Sequence, residues 1–353
     1  MEKKVNVCII GAGNISNTRH IPALKKLKNV NIMGVLSNSE KNINRTLKKW
    51  KIPNSMVIDD DSKKAKEQLE KCNWFQEIDA VVIGTPPKKH HPLVKLSLEL
   101  DKHTLVEKPM MMNKEECDEL IELAKKKKKQ FCVTHNFQFA DQMRKLNDII
   151  ETKKYGEIIS ITEVQFTNRN RRLPEWYNDL PLGLFYDEAA HFIYLLQKHG
   201  GKIKVNNAYA VYDKEKKATP ITLNVDATAG SIPVHMMLNF NSPVCEWYYM
   251  VNFESQIFIY DFFKDILIKL PTDNEHLSKD ILKNSFSYTF QYWWGFIKNG
   301  FKMVTGNLLY GHNIVLGKFV NGIITGKYDS SIQAEKGKET VISMNDIVNE
   351  VNK

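Results

Sequence analysis

The run KVNVCIIGAGNIS, residues 4–16, constrains this chain more than any other stretch. β-Branched residues, first alternating and then continuous, make a short strand that ends at Gly11 and Gly13. Gly11 permits a tight turn. Gly13 removes the side chain that would block a pyrophosphate, and the helix that follows, opening with Asn14 and Ile15, offers it free backbone N–H groups. Ser16 stands where this turn prefers a third glycine or alanine, and it is small enough to allow helix–strand packing. A lone GxGxxG-like match is weak evidence. Here it follows a strand directly, and a second strand, VNIMGVLS, comes about one βαβ unit later.

An acid at the end of that second strand would bind the adenosine ribose of NAD. This chain has Ser37 and Asn38 there, with Lys41 and Arg45 one and two turns into the next helix. A hydroxyl in place of a carboxylate removes repulsion against a 2′-phosphate, and the cations add attraction, so NADP is favoured slightly over NAD. The alternative is that Lys41 and Arg45 are ordinary exposed helix residues.

The βα rhythm continues through DAVVIGTPP, HPLVKLSLEL, HTLVEKP, KEECDELIELAKK and QFCVTHNF. Such alternation predicts an open parallel sheet with helices on both faces and ligands at the carboxyl ends of its strands. Thr85, Glu107, Lys108, Pro109 and Asn136 all fall at such ends.

After TKKYG, at 152–156, the pattern changes. Strand candidates at 158–167, 205–213, 221–228, 231–240, 247–254, 257–262 and 265–270 follow one another with short polar breaks. Successive strands without helices between them pair antiparallel. The expectation is a doubly wound Rossmann domain over 1–135 and an α+β domain with a mostly antiparallel open sheet over 136–353. Phe286, Phe290, Trp293, Ile297, Phe301 and Val304 recur at helical steps, predicting a helix packed against the domains, with an oligomer or membrane-surface contact as the alternative. The terminal SMNDIVNEVNK reads as a helix returning to the first domain.

A length of 353 residues suits two domains, and a composition that is 42% hydrophobic and 26% charged suits a soluble protein. The net charge of +9 includes KKKKK at 125–129, which reads as a solvated helix end. No groove-reading motif accompanies the lysines, so no nucleic-acid partner is expected. The five cysteines form neither a CxxC pattern nor an even disulfide framework. With no signal-peptide core and no apolar run near the ~20 residues of a membrane span, a cytoplasmic protein without a metal site is expected.

With GAGNIS, TPPKKHHPL, LVEKP and DEAAH in this order, the chain resembles the Gfo/Idh/MocA oxidoreductases along essentially its whole length. EKP after a strand is the most specific element. The resemblance implies a Rossmann domain followed by a large sheet whose open face carries oligomer contacts, hence a homo-oligomer, a dimer or tetramer. It puts Lys108 beside nicotinamide and substrate, with Glu107 in the same segment. It places Thr85, Pro86 and His90 beside the cofactor, and Asp187 and His191 in the substrate site, the histidine as acid/base.

The chemistry agrees with those roles. Alcohol oxidation needs a group to take the hydroxyl proton, which an imidazole suits, and a lysine can stabilise the alkoxide. Asp187 and His191 at i, i+4 share a helical face, so the carboxylate could support the ring. The chain also departs from the family pattern. Phe137 and Gln138 stand where many relatives have an arginine pair, only Gly183 remains of a glycine run, and Ala189 replaces a glycine. Upstream, Arg169, Arg171, Arg172, Trp176 and Tyr177 could hold a sugar bearing phosphate, nucleotide or carboxylate. A structural loop whose arginines pair with acids such as Glu175 and Asp179 is the bland alternative. The expected activity is NAD(P)-dependent hydride transfer at a hydroxyl or keto carbon of a sugar-like small molecule. The rivals are an NAD-dependent glycosidase with transient oxidation and a non-catalytic dinucleotide sensor.

Overall fold

The structure, a computed structural model, describes residues 4–171, 175–214, 218–273 and 275–353. They form two compact units, Met1–Asn136 with Gly311–Ile342, and Phe137–Tyr310 with Ser343–Lys353.

In the first unit, β1 (Val5–Ile10), β2 (Val30–Ser37), β3 (Asn54–Val57), β4 (Ala80–Ile83), β5 (His103–Val106) and β6 (Phe131–Val133) build one sheet in the order β3-β2-β1-β4-β5-β6. Every neighbouring pair is parallel. The helices between them are α1 (Ile21–Leu24), α2 (Glu40–Trp50), α3 (Ser62–Glu70), α4 (Asn73–Gln76), α5 (His90–Glu99) and α6 (Lys114–Lys127). Val5, Val7, Cys8 and Ile9 are fully buried, because a strand covered on both faces needs apolar residues without alternation. Strand order reverses between β1 and β4, so the crevice for a ligand opens at their carboxyl ends. Helix α6 ends with Lys125, Lys126 and Lys127 in its last turn and Lys128 in the left-handed region, as expected of a solvated basic helix end.

The second unit holds β7 (Ile158–Asn168), β8 (Ile203–Val211), β9 (Thr222–Ala229), β10 (Ile232–Ser242), β11 (Glu246–Phe253), β12 (Ile257–Asp261) and β13 (Ile266–Leu270), in the order β13-β12-β11-β7-β10-β9-β8. The successive pairs β8–β9, β9–β10, β11–β12 and β12–β13 are antiparallel, as expected, while β7 is inserted between β10 and β11 and pairs antiparallel with β11. β7 and β10 are not successive, and they pair in parallel. In β11, Trp247, Tyr249, Val251 and Phe253 are buried while their neighbours are not, the period of two of a sheet covered on one face. The helices are α7 (Asp141–Glu151), α8 (Leu184–Glu188), α9 (Ala190–Gly200) and α10 (Ser278–Val304).

Two expectations need correction. The aromatic stripe of α10 is not packed: Phe286, Phe290, Trp293, Ile297, Phe301 and Val304 are all exposed. The division of the chain is not a single cut near residue 135 either. The chain returns to the first unit with α11 (His312–Thr325) and the start of α12 (Ala334–Val351), while Ser343–Lys353 group with the second. Val315, Leu316, Phe319 and Val320 of α11 are buried, and the first unit offers them a core.

Candidate functional site

At the turn after β1, Gly11 has φ +100°, and a Cβ there would lie 2.5 Å from the Gly84 carbonyl oxygen and 2.9 Å from Thr85 Cγ2. Only glycine fits, by backbone conformation and by space. Gly13 differs: a Cβ would meet nothing nearer than the Gly84 oxygen at 3.9 Å. Its open side answers to no protein atom, which suits close approach by a ligand. Ser16 Oγ donates to the Gly11 carbonyl at 2.5 Å, and Asn17 Nδ2 donates to the Ala12 and Gly13 carbonyls at 3.2 and 2.9 Å. Ser16 thus ties the turn to the helix rather than merely making room. Asn14 is exposed and Ile15 half-buried. At the end of β4, Thr85 Oγ1 is buried with no hydrogen-bond partner. The glycine cradle and this orphaned hydroxyl fit the pyrophosphate and nicotinamide side of a dinucleotide.

At the end of β2, the Ser37 Oγ accepts from the Ser39 N–H at 3.2 Å, and Asn38 Nδ2 donates to both Asp60 carboxylate oxygens at 3.3 and 3.4 Å. Asp60 pairs with Lys89 at 3.1 Å. The hydrogen bond from Lys89, then that from Asn38, lowers its pKa. Arg45 Nη2 donates to the Ala12 carbonyl at 3.4 Å, while Lys41 is exposed. Asp60 lies beyond β3, outside the strand-end rule that picked Ser37 and Asn38.

The ends of β4 and β5 are stapled by His90, whose Nδ1 and Nε2 lie 2.9 Å from the carbonyl oxygens of Pro109 and Thr85. Burial, the largest influence, pushes its pKa below the ordinary histidine value against the pull of those carbonyls. His90 therefore positions the Thr85-Pro86 and Lys108-Pro109 segments, and the Lys108–Pro109 peptide is cis. Glu107 is buried, with Oε1 2.7 Å from His20 Nε2 and 3.6 Å from His312 Nε2, while Oε2 accepts from the Lys108 N–H at 3.2 Å. Burial alone would raise its pKa. Hydrogen bonds from His20 and His312 outweigh burial and hold it well below the usual carboxylate range. These three groups lie close enough to share a cation, but the 2.7 Å contact is by itself a charge-assisted hydrogen bond. Sequence reasoning missed both histidines, because no spacing rule joins positions so far apart. Lys108 is half-buried beside this clamp, and Asn136 is buried just past β6.

In the second unit, Gly183 starts α8 with φ +58°, and a Cβ there would meet Thr219 Oγ1 at 1.9 Å. Asp187 lies on α8 and His191 on α9, with Ala189 between the helices. Their shared helix is therefore two short ones end to end. Asp187 accepts a hydrogen bond from the Tyr177 hydroxyl. Burial first, and then the charge of Asp187, push Tyr177 up. His191 is buried, its Nδ1 lies 3.0 Å from the Tyr194 hydroxyl, and that oxygen accepts from the Phe137 N–H at 2.9 Å. The Phe137 ring meets the imidazole edge-on at 4.8 Å. Phe137 thus supports His191 with both ring and backbone. Arg171 pairs with buried Glu188, which also accepts from Gln165 and Thr167. Its acid partner is thus Glu188 rather than Glu175 or Asp179. Trp176 is half-buried with its ring 4.1 Å from that of Tyr177, and Arg172 lies outside the described residues.

Residues 5–135 match the model of an oxidoreductase family described by its NAD-binding Rossmann fold. An oxidoreductase, P35, of Formosa agariphila is 25% identical over 217 residues, which are 58% of this chain and 63% of that protein. The chain thus spans less than two thirds of that relative's length. The dehydrogenase WlbA of Bordetella pertussis, solved with NADH and UDP-GlcNAcA, is 14% identical with a TM-score of 0.76, covering 100% of this chain and 96% of that one. GenD2 from gentamicin A biosynthesis, solved with NAD, has the same identity of 14% and TM-score of 0.76, covering 100% of this chain and 95% of its own. At such identities the structures speak for the fold alone. Residues 5–135 of the chain thus match the NAD-binding Rossmann domain of the Gfo/Idh/MocA oxidoreductase family.

Proposed function

We propose that the protein is a nicotinamide-dependent dehydrogenase or reductase acting on a hydroxyl or keto carbon of a sugar-like substrate. The observation that carries this is the cradle of Gly11, Gly13 and Thr85, with its orphaned hydroxyl, at the strand-order reversal of a parallel sheet. Gly11, Gly13, Asn14 and Ile15 would hold the pyrophosphate, and Thr85 and Pro86 would border the nicotinamide. A bound nicotinamide supplies the site that accepts or gives a hydride. Lys108 stabilises the alkoxide, its segment held by His90 and by the Glu107 clamp. His191 handles the hydroxyl proton. The Tyr194 hydroxyl, which accepts from the Phe137 N–H, lies against Nδ1 and orients the ring. Asp187 orients the substrate side through its bond with Tyr177.

For the cofactor we favour NAD over NADP. Of the two cations that suggested a 2′-phosphate, Arg45 is turned to the Ala12 carbonyl, and a carboxylate, Asp60, sits against Asn38. Lys41 is what still supports NADP. For the substrate, a sugar carrying nucleotide, phosphate or carboxylate is supported by Trp176 and by the UDP-GlcNAcA held by the Bordetella pertussis relative, while Arg171 is already engaged by Glu188. Asn136, at the end of β6, completes the proposed set. A cytoplasmic homo-oligomer paired through the open face of the seven-stranded sheet is part of this reading. The five free cysteines suit a reducing compartment.

Steady-state kinetics against nucleotide-sugar and sugar-acid panels, followed as nicotinamide absorbance, test the activity. His191→Asn is expected to lower kcat by about 10²–10⁴-fold and remove one limb of the pH–rate profile. Lys108→Ala is expected to lower kcat with that limb retained. Turnover without net NAD(H) change would replace the dehydrogenase with the glycosidase. Tighter binding of NADPH than NADH would reverse the cofactor assignment.

A further inference from the structure

Helix α10 faces the wrong way for a helix that serves only its own fold. Its packed side is polar or small. Gln291 Nε2 donates to the Lys269 carbonyl and its Oε1 accepts from the Lys269 N–H, both at 2.9 Å. Asn299 Nδ2 donates to the carbonyls of Lys264 and Asp265 at 3.1 and 2.6 Å, and Gly295 backs onto Ile266. These bonds fix the helix on β13 and on the turn before it, and hold the opposite, apolar face outward. There Phe286 is 75% exposed, Phe290 70%, Trp293 56%, Ile297 64% and Val304 89%.

The outward residues follow a strict order. From Phe286 through Phe290, Trp293, Ile297 and Gly300 to Val304 the steps alternate between four and three, the seam of a coiled coil. Trp294 and Phe301 widen it on one side, at 64% and 74% exposure. Gly300 leaves a notch in the seam: a Cβ there would meet nothing within 4 Å. With roughly 150–250 Å² per aromatic side chain, the exposed parts of the stripe come to about 800–1,000 Å². A monomer's largest apolar patch is about 300–600 Å², and a standard stable interface takes about 800 Å² from each partner.

We propose that this face is a homodimer interface in which α10 of one copy packs antiparallel on α10 of a second, across a two-fold axis level with Gly295. Antiparallel pairing sets Phe290 against the notch at Gly300, Phe286 against Val304, and Trp293 against Ile297. Continued N-terminally, the seam reaches Lys283 and Lys279. In the antiparallel arrangement these lysines lie at the partner helix's C-terminal end, where its dipole is negative. Parallel pairing would oppose lysine to lysine and leave glycine facing glycine. A lipid surface would receive the same two lysines on the inserted face. A second two-fold contact elsewhere on the chain would, together with this one, generate a tetramer.

Sedimentation equilibrium of the full chain at about 10 µM tests the proposal, with flotation on mixed phosphatidylcholine–phosphatidylglycerol vesicles as its companion. Phe290→Ser and Ile297→Ser are each expected to halve the assembled mass while NADH binding and circular dichroism stay unchanged, because both positions are exposed in one copy. Mixing Phe290→Cys with Gly300→Cys chains under mild oxidation should give a covalent dimer that neither gives alone. The proposal fails if the serine variants keep the wild-type mass, if the wild type is a monomer, or if the wild type floats with the vesicles. A covalent dimer from Gly300→Cys alone would overturn the antiparallel arrangement.

Discussion

Glu107 is a buried carboxylate kept ionised by its neighbours, and it sits one residue before the lysine that the proposed reaction needs. Because its folded pKa is depressed, its stabilisation is fully present above the ordinary glutamate value of 4.5 and is lost as pH falls through the folded value. Glu107→Gln removes the charge and keeps the shape. The expected cost at pH 7 is about 3–5 kcal/mol, the usual result of breaking a buried pair. The gap between the two proteins should begin to close only below pH 4.5. Urea unfolding at neutral and acid pH measures it, and a gap that stays constant down to pH 3 would remove Glu107 from the acid limb. Lys108, Asp187 and His191 could be proposed from the sequence because each sits in a short motif at a strand end or helix start. His20 and His312 were not: they meet Glu107 only through folding, from positions 87 residues before it and 205 after it (107 − 20 and 312 − 107).

At the scale of elements, the turn after β1 separates what the fold needs from what a ligand needs. The two glycines looked alike in the sequence, and they are not. Gly11 is required by the chain itself, since its φ and the nearby Gly84 carbonyl leave no room for a side chain. Gly11→Ala is therefore expected to destabilise by about 1–3 kcal/mol. Gly13 meets no such obstacle, so Gly13→Ala should fold within about 0.5 kcal/mol of the parent. It should nevertheless lose NADH affinity by tenfold or more, because its methyl group would occupy the path of the pyrophosphate. Thermal unfolding and NADH titration, run together on both variants, check this pair of outcomes. If Gly13→Ala binds NADH as the parent does, the cradle is not the dinucleotide site. Regular elements were read well for a related reason: their periods are local, so each strand from β7 to β13 showed itself in a few residues. The stripe of α10 was also visible, but periodicity says only that one face is apolar. Whether that face turns inward depends on Gln291 finding backbone partners on β13 and Asn299 finding them in the turn before it.

For the whole molecule, the order of the chain and the grouping of its parts differ. Residues 311–342 come after the entire second sheet and yet belong to the first unit. Val315, Leu316, Phe319 and Val320 are at most 1% exposed, His312 reaches Glu107, and Lys338 pairs with Asp118. A contiguous reading of the sequence could not find this, because α11 has only its own apolar pattern and nothing that names the core it enters. The consequence is that the dinucleotide-binding unit is not independent of the tail. At about 1.5–3 kcal/mol for each large apolar side chain, losing four of them forfeits roughly 6–12 kcal/mol, comparable with the 5–15 kcal/mol that holds a domain folded. A chain ending at Tyr310 is therefore expected to lose cooperative unfolding of the first unit, and NADH binding with it. A chain ending at Ile342, which keeps α11 and Lys338, should retain both. Calorimetry and NADH titration of the two truncations decide the point, and an NADH-binding chain that ends at Tyr310 would show that the first 136 residues form the cofactor domain unaided.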